Sequence, residues 1–293
     1  MSAGAAARGP PSFLLADKVI SACPKPSREK RILNEIIESF RANAGQIGDG
    51  RYLLLTTTGA RSGKQHTAIL GYYPDGDRVL VVGSAGGGPK HPDWYHNVVA
   101  NPEATVETGL FTYPATAVVL RDAERDEVFA RLVEADAGWG EYQERTTRTI
   151  PVVALVQPPG PPTFTGTVGE FLKSIHMVFR RELELIRKEV ATSGTAGLGA
   201  QLRINCLTVC QGLHNHHTGE SLGLFPALAD QHPELADTIA VLQSEHDRIA
   251  VLLEELEKQL SDPSPDLVSQ VDRLIDALNA HLDHEEATLL AYL

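Results

Sequence analysis

The sequence predicts two domains of different class, a small and mainly antiparallel β-barrel followed by an up-down-up-down four-helix bundle. Three observations carry this. The chain has 293 residues, more than one hydrophobic core usually organises. A proline- and glycine-rich stretch, QPPGPPTFTGTVG from Gln157 to Gly169, can neither continue a helix nor fill a strand ladder. Before it lie short β-rich runs; after it the apolar residues recur only at helical steps.

In chain order, residues 1–27 read as a flexible leader, residues 28–157 as the barrel, 158–167 as a linker and 168–293 as the bundle. Within the barrel, 28–42 has one amphipathic face and predicts a helix. The runs YLLLTTT, HTAILGYYP, RVLVVGS, ATVETG, ATAVVLR and IPVVALV predict six strands. DGDR between the second and third suits a hairpin turn, because Asp-Gly tolerates left-handed backbone. Two inserted helices are expected, at 92–100 and 122–137. The bundle helices are expected near 168–190, 200–228, 235–260 and 266–292. Their short, breaker-rich joints force antiparallel neighbours.

Composition narrows the partners. A net charge of -12 argues against nucleic acid and anionic membranes. No apolar run is long enough for a membrane span, and the N-terminus lacks a signal-peptide pattern. Cys23, Cys206 and Cys210 form no CxxC pair, which fits a reducing, cytoplasmic setting.

Each bundle helix has an apolar stripe, and each stripe is interrupted by histidine. His176 lies on the first, His216 and Glu220 on the second, His246 on the third, and His281 and Glu285 on the fourth. A buried carboxylate is costly unless paired or bound to metal. With a rise of about 1.5 Å per residue, antiparallel packing brings all six side chains to one level. Four imidazoles and two carboxylates suit two iron ions. His214, His217 and His284 fall beside the stripes and are expected at the surface or outside the ligand set. Cys206 reads as a small core residue. The motifs HHTGESLGLFP and HLDHEE resemble the hemerythrin (HHE cation-binding) family over residues 168–293. The resemblance implies metal ligands at His176, His216, Glu220, His246, His281 and Glu285. Oxygen-carrying members have a second histidine one turn along on helix three, where this chain has Leu242 and Ala250. That departure weakens the case for reversible oxygen carriage. It leaves binding of nitric oxide, activation of oxygen or peroxide, and a response to iron.

Two loops of the barrel stand out. TTTGARSGK (56–64) has Gly59, Ser62 and Gly63, whose backbone N–H groups are expected to face an anion, beside the charges of Arg61 and Lys64. GSAGGGPKHPDWYHN (83–97) runs from three glycines into a helix whose N-terminus suits phosphate. Both read equally as ordinary turns with solvated charges. The segments LLLTTTGARSGK, DGDRVLVVGSAGGGPKHPDWYHNVVANPEATVETG and EYQERTTRTIPVVAL resemble the deazaflavin-dependent nitroreductase family from about residue 31 to 157. The resemblance implies a split β-barrel, FMN-binding-like, that holds coenzyme F-420 (an 8-hydroxy-5-deazaflavin). Arg61, Ser62, Lys64 and the loop of Ser84, Ala85, Gly86, Gly87 and Gly88 would meet its phosphate and glutamate tail. Lys90, His91, Trp94 and Asn97 either bind the cofactor or only build the helix. Trp139 and Tyr142 border the substrate pocket. Tyr142 is the candidate catalytic residue, with a packed aromatic as the alternative.

The implied function is an oxidoreductase passing hydride from reduced coenzyme to a quinone-like or nitroaromatic acceptor, with a non-haem di-iron module attached. The alternative is a sensor of oxygen, nitric oxide or iron whose barrel only binds cofactor. A homodimer paired through barrel faces is expected.

Overall fold

The computed structural model describes residues 26–48, 50–158, 166–193 and 199–261, then 266–293. The expected leader, apart from its last two residues, lies outside the described residues, as do residues 159–165 of the expected linker. The chain divides into two compact units, one of residues 1–73 and 78–163 and one of residues 74–77 and 164–293.

The first unit opens with helix α1 (Pro26–Ala42) and continues through strands β1 (Tyr52–Thr58), β2 (Gln65–Asp75) and β3 (Arg78–Val82). Helix α2 (Asp93–Ala100) precedes β4 (Glu103–Glu107) and β5 (Thr112–Val119). Helices α3 (Asp122–Ala135) and α4 (Gly138–Glu144) precede β6 (Val152–Val156). The strands close into a barrel in the order β1-β2-β3-β6-β5-β4. β1 lies antiparallel to both β2 and β4, with Leu55 opposite Ala68 on one side and Val106 on the other. β6 is antiparallel to β3 and β5. Closure leaves no unpaired edge.

Strand alternation explains the near-continuous apolar runs. Leu53 and Leu55 of β1, Val81 of β3, Val106 of β4 and Val153 and Leu155 of β6 point into the barrel, where Trp94 and Val98 of α2 join them. The intervening Tyr52 and Leu54 face outward under Ile37 and Phe40 of α1. Likewise Leu80, Val82, Val152 and Ala154 lie under Phe129 and Leu132 of α3. With both faces covered, no polar face survives in these strands. The helix expected over 122–137 ends earlier, where the Asp136 carboxylate accepts from the Gly138 N–H at 2.9 Å. A separate short helix, α4, then carries Trp139 and Tyr142.

The second unit is helical: α5 (Val168–Ser193), α6 (Ala200–Gly219), α7 (Phe225–Gln231), α8 (Ala236–Ser261) and α9 (Leu267–Leu289). The long helices pack in a ring, α5 against α6, α6 against α8, α8 against α9 and α9 against α5. The expected second helix is not continuous. A π-turn over Glu220–Leu224 separates α6 from α7. Pro226 cannot donate to the carbonyl four residues back and would collide with it. Widening the backbone by one residue relieves that, and the Phe225 N–H bonds the Glu220 carbonyl instead. One apolar cluster, including Leu183, Leu213, Ile249 and Leu278, fills one part of the bundle. A second, built from Phe225, Leu228, Ile239, Leu242 and Leu289, fills another. Cys206 and Cys210 are buried and joined in no disulfide, and burial pushes the Cys210 thiol up to about 12, so both act as small apolar residues.

Candidate functional site

In the barrel, the loop from Gly59 to Lys64 is a closed turn rather than an open cradle. The Gly59 N–H donates to the Lys64 carbonyl at 2.8 Å and the Gly63 N–H to the Gly59 carbonyl at 2.9 Å. The Lys64 N–H donates to Ser62 Oγ at 3.3 Å. The Ala60 N–H donates to Asn97 Oδ1 at 3.0 Å, while Asn97 Nδ2 donates to Thr57 Oγ1 at 3.0 Å. The expectation that Gly59 and Gly63 aim their amides at an anion is therefore corrected. Those donors close the turn between two antiparallel strands, and the side chains of Arg61, Ser62 and Lys64 are left exposed. Asn97 is a clamp tying α2 to this loop. Trp94 is packed in the barrel core. Both side chains thus help to seat α2.

The glycine loop is held from outside. Ala85, Gly86 and Gly87 have φ of 47°, 62° and 77°. A Cβ on Gly87 would lie 2.8 Å from the Tyr142 carbonyl oxygen, so α4 abuts this loop. The Gly86, Gly87 and Gly88 N–H groups bond back to Ser84 and Ala85. Arg148 supplies the main restraint. Its Nε donates to the Gly88 carbonyl at 2.9 Å and its NH1 to the Gly83 carbonyl at 3.1 Å; its NH2 donates to the Ser84 carbonyl. The same NH1 group donates to His91 Nδ1 at 3.0 Å. A guanidinium only donates, so that imidazole carries its proton on Nε2. Burial first, then Arg148 and His96, lowers the His91 pKa. Arg148 was missed in the sequence, where nothing but a basic residue ahead of β6 marks it. The α2 N-terminus carries Asp93 in its first turn, a charge that disfavours phosphate there. Lys90 is exposed beside the loop.

Trp139 and Tyr142 are each 5% exposed, in the cluster with Tyr73, Leu80 and Leu132. The Trp139 indole N–H donates to the Tyr73 hydroxyl at 2.8 Å. Their rings seat α4, and the helix in turn backs the glycine loop.

In the bundle, all six side chains expected as ligands meet in one layer, and His217 joins them. His176, His216, Glu220 and Glu285 present ligand atoms within 4.8 Å of one another, and so do His217, His246 and His281. The two carboxylates link the groups. Glu220 reaches His216 Nε2 at 3.2 Å with one oxygen and His246 Nε2 at 3.6 Å with the other. Glu285 Oε2 is 3.4 Å from His176 Nε2 and 3.8 Å from His281 Nε2. The outer nitrogens are held: His176 Nδ1 by Glu286 at 2.9 Å, His246 Nδ1 by Ser221 Oγ at 2.9 Å, and His281 Nδ1 by Glu245 at 2.9 Å. A carboxylate on Nδ1 fixes the tautomer whose Nε2 lone pair points inward. Arg180 in turn braces Glu286 at 2.6 Å.

Of the inner atoms, His246 Nε2 and His281 Nε2 pair with each other at 3.0 Å, and the rest have no hydrogen-bond partner. His176 Nε2, His216 Nε2, His217 Nε2 and both oxygens of Glu220 and Glu285 are buried without a hydrogen bond. Burial, then repulsion from Glu285, pushes Glu220 up to about 10. Burial, then neighbouring imidazoles, takes His216 down to about 3. So many orphaned donor atoms aimed at one another are a poor protein core but a fitting cage for cations. His217 is not at the surface, one of the two places expected for it. It is 6% exposed and stacks on His246, with centroids 4.2 Å apart. His214 is exposed and His284 half-buried on Glu245, as expected for positions beside the stripe. Glu245 and Glu286 were also missed; their signals were carboxylates adjacent to His246 and Glu285.

Residues 29–157 match the family model F420H(2)-dependent quinone reductase. Residues 167–293 match the hemerythrin HHE cation binding domain. An F420H(2)-dependent quinone reductase of Mycobacterium tuberculosis is 42% identical over 128 residues, 40% of this chain and 85% of that protein. The chain belongs to the F420H(2)-dependent quinone reductase family. A second M. tuberculosis relative, named a putative reductase of this kind, is 39% identical over 103 residues, covering 35% of this chain and 87% of the relative. A solved F420-H2 dependent reductase, FDR-A, is 42% identical, covering 36% of this chain and 93% of its own, with a TM-score of 0.33. The quinone reductase domain thus carries a hemerythrin domain behind it in one chain. No described helix is long and apolar enough to cross a membrane.

Proposed function

We propose that the barrel binds reduced coenzyme F-420 and reduces a quinone, and that the bundle holds two iron ions. The observation that carries the first part is the 42% identity spanning 85% of a quinone reductase with this specificity in its name. When bound, the deazaflavin supplies the hydride. The protein's contribution is placement. Arg61 and Lys64 offer exposed cationic side chains for the anionic tail, with Ser62 beside them, and Lys90 extends the basic rim. The loop Ser84–Gly88, pinned by Arg148, gives the coenzyme a rigid wall that binding need not order. A quinone that accepts hydride needs one further proton, and Tyr142, on the helix backing that wall, is the residue we assign to orient the acceptor or deliver it. We assign Trp139, whose ring lies 6.0 Å from that of Tyr142, to the border of the acceptor site. Nitroaromatics are a second acceptor class for such a site.

The bundle reading is carried by two ligand groups joined through Glu220 and Glu285. His176, His216, His246 and His281 would hold the ions together with Glu220 and Glu285, and Glu245, Glu286 and Ser221 would orient the rings. Bound there, the ions would supply a site for a small ligand such as oxygen or nitric oxide.

Two variants separate the halves. Glu285→Ala is expected to lose most bound iron, measured by mass spectrometry of the purified chain, while keeping coenzyme affinity. Arg61→Ala with Lys64→Ala is expected to raise the coenzyme dissociation constant about tenfold or more, the loss of roughly 1.4 kcal/mol, with iron unchanged. Full iron in the first, or wild-type affinity in the second, removes that assignment.

A further inference from the structure

We infer that His217 is a metal ligand, and that adjacent histidines on one helix serve two different ions. This rests on the reading of the bundle as a two-iron site and goes beyond it by naming a ligand outside the expected six.

Helix α8 offers a single histidine to the layer, His246, with Leu242 and Ala250 one turn to either side. The group around His246 and His281 is therefore short of a nitrogen unless another helix supplies it. Successive residues on an α-helix point about 100° apart, so a doublet cannot face one point. It can face the two seams that α6 makes with its two neighbours. His216 lies toward α5, its ring 5.3 Å from both His176 and Phe179. His217 lies toward α8 and α9, stacked on His246 at 15° and edge-on to His281 at 5.2 Å. Its Nε2 is buried without a hydrogen bond, a costly state for an imidazole with no ion to meet. Three imidazoles, His217, His246 and His281, then stand around one position, while His176 and His216 stand around the other.

The doublet also coincides with the break in the helix. The Glu220 N–H bonds the carbonyls of both His216 and His217, and the π-turn begins at that residue. Glu220 thereby enters the layer between the two groups, touching one histidine from each.

The full chain, loaded anaerobically with ferrous iron, gives the test. Wild type is expected to hold two ions per chain. His217→Ala, and His217→Phe, which keeps a ring against His246, are each expected to hold about one, with unchanged circular dichroism. His214→Ala, at the exposed neighbour, is expected to hold two. Either His217 variant, folded and retaining two ions, overturns the inference. A crystal structure of the iron-loaded wild type decides independently of how the variants fold. Iron bonded to His217 Nε2 supports the inference. Iron present with His217 uncoordinated overturns it and leaves the two-iron reading standing. A layer without iron removes both.

Discussion

The guanidinium of Arg148 donates to the Gly88 carbonyl at 2.9 Å, joining the segment ahead of β6 to the glycine loop. With its bonds to Gly83 and Ser84, one side chain fixes the shape of a loop whose own amides are turned inward. Hydrogen bonds from a charged donor contribute about 1.5–3 kcal/mol each when buried, and less at a half-exposed site. Arg148→Ala is expected to cost about 2–3 kcal/mol and to weaken coenzyme binding at least tenfold. Arg148→Lys should restore little, since an ammonium cannot span three carbonyls. Thermal denaturation and fluorescence titration of the coenzyme read both effects; a lysine variant with wild-type affinity would mean that charge alone suffices.

Gly87 tests the same wall by shape. Its φ of 77° is unfavourable for any side chain, and a Cβ would press on the Tyr142 carbonyl at 2.8 Å. Gly87→Ala is expected to destabilise the barrel by about 1–3 kcal/mol. Gly76, also at positive φ but with open space around it, provides the comparison: Gly76→Ala should cost less. Equal losses would show that the contact with α4 is not what constrains Gly87.

Tyr142 separates chemistry from packing. Tyr142→Phe keeps the buried ring and removes the hydroxyl. If that hydroxyl orients the acceptor or delivers a proton, kcat should fall about 100-fold while the melting temperature and coenzyme affinity hold. An unchanged kcat would make Tyr142 a core residue and nothing more.

Metal removal should give the bundle a distinctive pH dependence. Without metal, Glu220 is raised to about 10 from an unfolded value of 4.5, so its contribution is present below 4.5 and is lost as pH rises toward 10. His216 and His246, lowered to about 3 and 4 from 6.5, act oppositely: stability falls as pH drops below 6.5. The metal-free bundle is therefore expected to be most stable near pH 6.5. Ions need deprotonated ligands, so the stabilisation they add should grow as pH rises above that point. Melting curves with and without chelator check this; a gap independent of pH would contradict the ligand assignment.

The barrel was legible because turn residues punctuate six β-rich runs, and the bundle because four stripes repeat at helical steps. That the six stripe residues would meet was legible for one reason: a polar residue on an apolar stripe has no cheap explanation. His217 escaped that logic. A stripe admits one residue of a doublet, and only the ring of four helices shows that the other faces the next seam. The loop at Gly59–Lys64 misled for a related reason. Its glycines signal tight backbone, but whether their N–H groups face outward or close the turn depends on the pairing of β1 with β2 and on Asn97, 37 residues away from Ala60. Arg148 acts on backbone carbonyls, which carry no sequence signature at all.

The most direct measurement is an anaerobic titration of the iron-loaded chain with reduced coenzyme F-420, using menadione as acceptor and following coenzyme fluorescence and consumption. Saturable binding with turnover that depends on menadione is the expected result. A folded, iron-loaded chain that neither binds the reduced coenzyme nor consumes it with menadione would contradict the assignment of the barrel as a working quinone reductase.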